Sequence, residues 1–138
     1  MPILLAAFLL GCVAGLRTLT APAVLLLMRH PWPFGYVLAV FAVGEYAGDL
    51  HPNTPSRTQP VGLIARAVSG AFCGWLLAAT TGTSGVAGAL AGAIGAILGA
   101  YAGLWVRLRS AAAIGRVPAA LAEDALAIVG AVLIVAFA

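Results

Sequence analysis

Charge is what this chain has least of. Charged residues fill 8% of its 138 positions, seven basic and four acidic. Soluble domains carry about 25%. So little polar surface cannot coat a water-soluble globule, and the solvent must be lipid. Lysine is missing altogether: the seven basic residues are all arginine. They are scattered among apolar segments, with no basic run and no aromatic stacking platform. The net charge of +3 therefore does not point to nucleic acid. Arginine-bearing loops of a membrane protein account for it. Cysteine is scarce too. Cys12 and Cys73 each sit inside an apolar run, with no CxxC and no metal spacing with the two histidines. They read as small buried hydrophobes. There is no Ser-His-Asp order, HExxH or nucleophile elbow, so an enzyme is not expected, nor a cofactor. The N-terminus lacks the positive n-region of a signal peptide, and its apolar stretch is expected to be retained as a first span.

What the chain does have is apolar length. It is 63% hydrophobic, with a mean hydropathy of +1.10. This predicts a single integral membrane domain over residues 1–138, an all-α, polytopic transmembrane helical bundle of four or five spans. A span takes about 20 residues. The segments are 3–28, 34–50, 61–79, 86–106 and 119–137. The first is interrupted at Gly15 to Pro22. Pro22 lacks a donor and disturbs the carbonyl of Thr18, so a kink or break is expected there. A broken single span and a re-entrant helical hairpin are both open. His30 to Phe34 reads as an interfacial turn, and residues 51–60, with three prolines, as a fixed loop. Residues 107–118 read as a basic loop.

The loops holding Arg57, Arg107, Arg109 and Arg116 fall on one side, against Arg29 on the other. Five spans then predict a cytoplasmic N-terminus and an external C-terminus. A re-entrant first segment leaves four spans, with both termini on one side. Segment four carries Gly88, Gly92, Gly95, Gly99 and Gly103, a stripe that lets another backbone approach closely, within the subunit or across a homo-oligomer. Ala14-Gly15-Leu16-Arg17 and Ala102-Gly103-Leu104-Trp105-Val106-Arg107 are each followed by an acid pair, a weak inverted-repeat signal.

The four acids all fall in or beside spans: Glu45, Asp49, Glu123 and Asp124. Arg17 and Arg66 do as well. Each uncompensated charge at mid-membrane costs about 2.5–3.5 kcal/mol on insertion scales. Glu45 and Asp49 are one helical turn apart and share a face. Two readings compete. Either the charges form a structural network that sets helix register, or the acids bind a small ion or exchange protons, with Arg66 adjusting them. Carboxylate oxygens, Glu45 and Asp49 first, are candidate metal ligands. A third reading gives Arg17 and Arg66 to the phosphate of an anionic lipid or a polyprenyl phosphate.

The chain also resembles a family of small bacterial membrane proteins catalogued as domain of unknown function 4126. The resemblance rests on Ala14 to Arg17, Glu45-x-x-x-Asp49-x-x-Pro52, Arg66 with Ser69-Gly70, the Gly/Ala-rich fourth segment, and Glu123-Asp124. Where that family often has lysine after the Asp, this chain has Leu50. The resemblance implies a multi-pass protein of the bacterial inner membrane and no particular activity. The function expected from the residues is a transporter or channel-like protein with a carboxylate-lined site, cation- or proton-coupled. A non-transporting scaffold is the alternative. Membrane lipids are the expected surroundings.

Overall fold

The computed structural model describes residues 1–29, 33–49 and 59–138, with Asp49 described by its backbone only. Six helices follow one another: α1 (Ile3–Leu16), α2 (Thr20–Arg29), α3 (Pro33–Asp49), α4 (Pro60–Ala79), α5 (Gly85–Ile114) and α6 (Arg116–Phe137). No strand occurs among the described residues. Three of the helices, α4, α5 and α6, are long and apolar enough to cross a membrane. Large apolar side chains such as Val40, Val61, Val86 and Leu126 point outward. The buried core is built largely from alanine and glycine. This is the arrangement expected when the surrounding medium is as apolar as the side chains.

The first segment is broken. Arg17 leaves the helical region, with φ −139° and ψ 114°. The chain re-enters helix at Thr20, and Pro22 sits in the first turn of α2, where a missing N–H costs nothing. The two halves do not continue in line. The Met1 ammonium donates to the Phe137 carbonyl at 3.4 Å, and Arg29 Nη2 donates to the Val135 carbonyl at 2.8 Å. Both ends of the α1–α2 pair therefore lie at the C-terminal end of α6. Their junction lies about eight residues into α6, where Arg17 pairs with Asp124. α1 and α2 form a hairpin, with its tip inside the bundle.

Glycine sets the packing of this hairpin. A Cβ on Gly11 would overlap the Gly92 backbone, and one on Gly99 the Cys12 backbone. On α4, Gly70 and Gly74 face Gly92 and Gly88 equally closely. One stripe of α5 thus receives two helices, α1 and α4. From Gly88 to Gly99 the glycine stripe is occupied within the subunit. The contacts also fix direction. Phe8 faces Gly95 and Cys12 faces Gly99, so α1 and α5 run the same way. Thr20 meets Tyr46 and Leu27 meets Gly35, so α3 returns antiparallel to α2. α3 and α6 run opposed while α1 and α5 run parallel, so the two motif pairs do not share one relation.

The expected basic loop at 107–118 is a second correction. Helix α5 continues through Ile114. Leu108, Arg109 and Ala111 to Ala113 are good helix formers, and nothing stops the helix before Gly115. Gly115, with φ +94°, is the one-residue joint to α6. Of the expected turn at 30–34, residues 30–32, and of the expected loop at 51–60, residues 51–58 with His51 and Arg57, lie outside the described residues; α3 begins at Pro33 and α4 at Pro60.

Candidate functional site

A broken helix inside a bundle leaves two sets of unpaired backbone groups. The last carbonyls of α1 carry partial negative charge, and the first N–H groups of α2 carry partial positive charge. Here each end receives an ion of the opposite sign. Arg66 Nε, from α4, donates to the Gly15 carbonyl at 3.1 Å. The Glu45 carboxylate, from α3, accepts the N–H of Thr18 at 2.9 Å and of Leu19 at 3.1 Å. Arg66 and Glu45 approach each other at 3.8 Å across the gap. Arg66 also donates to the Gly62 carbonyl at 3.2 Å, which holds its side chain along α4.

The carbonyl of Thr18 is the one that Pro22 cannot satisfy. Ser69 Oγ donates to it at 2.5 Å. Ser69 stands three residues after Arg66, hence on the same face of α4. The Thr20 hydroxyl is hydrogen-bonded to the Tyr46 hydroxyl.

At the tip itself, Arg17 is 1% exposed and forms an ion pair with Asp124 of α6. Its guanidinium lies 5.2 Å from the centre of the Tyr46 ring, a cation–π contact. The cluster thus joins three helices, α3, α4 and α6, to the hairpin tip through two arginines and two acids, with no net charge. Neutrality and pairing are what make so much ionic character tolerable within an apolar bundle.

Four of the expected site residues therefore meet: Arg17, Glu45, Arg66 and Asp124. Glu123 does not join them. One residue along a helix turns the side chain by about 100°, and Glu123 pairs instead with Arg107 of α5 at 3.6 Å. Asp49 lies on α3 one turn beyond Glu45, with its side chain outside the description. Among the described residues, no group of three His, Cys, Asp or Glu side chains could hold a metal ion. Each described acid instead faces an arginine.

Tyr46 and Ser69 are site residues that sequence reasoning passed over. Tyr46 had a weak signal, a hydroxyl beside an acid in an otherwise apolar helix. Ser69 had its spacing from Arg66. Compared with family models, curated proteins and solved structures, the chain matches none.

Proposed function

We propose that the protein is a small membrane transporter or channel whose gate is the α1–α2 hairpin tip, with proton exchange at Glu45 as the coupling event. The observation that carries this is the interrupted backbone at Arg17–Leu19, held within the bundle by Glu45 on one side and Arg66 on the other. Non-helical backbone at membrane depth is tolerated where protein buries it or where it lines a cavity, and transporters use such broken helices at their sites. Protonating Glu45 removes the anion from the Thr18 and Leu19 N–H groups just ahead of α2 and from Arg66 together. That one event weakens the attachment of the tip to both α3 and α4.

In this reading α1–α2 is re-entrant, and α3 to α6 are four spans. The ends of α3 and α5, with Arg107, Arg109 and Arg116, then face the cytoplasm of a bacterial inner membrane, and both termini lie outside. Proton coupling is preferred to a divalent cation, because the described acids are distributed among arginines rather than gathered. Membership of family 4126 and assembly into a homo-oligomer are part of the proposal and rest on sequence alone.

The test is flux in proteoliposomes under an imposed pH gradient, with Glu45→Gln as the variant. Glutamine keeps an acceptor for one of the two N–H groups and cannot titrate. The expected outcome is a folded variant with flux lost. Unchanged flux in Glu45→Gln, or none in the native protein for any ion tried, leaves the second reading, a scaffold. That reading is favoured by the completeness of the arginine–acid pairing. A lipid-phosphate role for Arg17 and Arg66 is the least supported, since both guanidiniums are buried and engaged at the break.

A further inference from the structure

A separate feature lies on the other side of α1. A groove of about 400 Å³ runs between α1, α5 and α6. That is within the size range of small-molecule sites. Small residues open it: Gly99 and Gly103 on α5, Ala119 and Ala122 on α6. Leu98, Val106 and Leu126 along its walls are exposed, so the groove faces the surroundings of the bundle rather than the Arg17 cluster. Its lining on α5 extends from Leu98 to Ser110, about 18 Å of helix at 1.5 Å per residue.

The walls are apolar except at one end, where Arg107, Ser110 and Glu123 stand together. Beside this end, Arg109 lies over the Trp105 ring at 4.2 Å. Tryptophan and arginine together mark headgroup depth. Arg116 begins α6 at the same end. Three arginines thus adjoin the mouth of the groove, and Glu123 is the one acid among its lining residues.

We infer that the groove holds an acyl chain of an anionic phospholipid, with the phosphate against Arg107 and Ser110. The chain is chosen by the apolar walls and the length of the groove. The anionic headgroup is chosen by the excess of arginine, which a zwitterionic lipid answers less well. The site is independent of the transport reading, since none of its residues belongs to the hairpin-tip cluster.

The experiment extracts the full chain from vesicles of equal phosphatidylglycerol and phosphatidylcholine with identical acyl chains, and counts retained lipids by native mass spectrometry. The native protein is expected to keep phosphatidylglycerol in excess of its share. Ala102→Phe with Ala122→Phe, which narrows the groove from both walls, should lose the retained lipid. Arg107→Gln should keep a lipid and lose the headgroup preference. If that variant fails to fold, Arg107→Gln with Glu123→Gln removes the whole pair and answers the same question. Arg29→Gln, at the opposite end of the bundle, should behave as the native protein. Equal retention of the two lipids by the native protein, or undiminished phosphatidylglycerol in the groove-filling variant, overturns the inference. Circular dichroism melts establish that each variant compared is folded.

Discussion

Arg17 is the residue on which the most depends. It is fully enclosed, paired with Asp124 and stacked over Tyr46. Removing one partner of a buried pair typically costs about 3–5 kcal/mol, because the remaining charge is left in an apolar place. Arg17→Gln and Asp124→Asn are each expected to destabilise by that order. The double variant should recover much of the loss, since no unmatched ion is then left behind. Denaturant titration in detergent micelles reads all three. Single variants that cost less than about 1 kcal/mol, as exposed pairs do, would show that the pair is not holding the tip. Arg17, Glu45 and Asp124 stood out in the sequence because charge is so rare there. Which acid met which arginine did not. Pairing is decided by helix placement, and the adjacent acids Glu123 and Asp124 face different partners for that reason alone.

At the scale of the element, α5 is the helix against which the hairpin and α4 are laid. The contact is backbone to backbone. A Cβ on Gly92 would overlap the Gly70 carbonyl, a group that cannot move aside as a side-chain end can. Gly92→Ala is therefore expected to cost at least the 1–3 kcal/mol, roughly, of an overpacked core, seen as a lowered melting temperature in detergent. Gly44 supplies the contrast. It lies in α3 with open space where its Cβ would be. Gly44→Ala should leave stability unchanged or raise it by about 0.5–1 kcal/mol, since alanine loses less backbone freedom in a helix. If the two substitutions behave alike, close approach is not what the glycines provide. The four-residue spacing announced a close contact from sequence. It could not announce that the contact lies within one chain, because spacing specifies a face and not its occupant.

For the whole molecule, the arrangement of ends is the testable property. The termini lie together, as do the ends of α2 and α6, while Gly115 and the start of α4 lie at the opposite end. Cysteine scanning reads this directly in a background with Cys12 and Cys73 replaced. Thr81→Cys and a tag at either terminus should be reached by an impermeant reagent from one side of the membrane, and Ala113→Cys from the other. Labelling of the N-terminus and of Ala113→Cys from the same side would require a spanning first segment instead of a hairpin. The sequence by itself determined the solvent, the helical class and the location of the break. Too few charges to face water, apolar runs of spanning length, and Pro22 after an arginine are local properties that the chain carries whatever its fold. The tertiary structure alone decided whether the break turns the chain back, which ions close its two ends, and that Arg107 belongs to a helix rather than a loop. Those outcomes depend on where distant segments come to rest. Gly15 and Arg66, or Thr18 and Glu45, become neighbours only once α1, α3 and α4 have packed around the same buried gap.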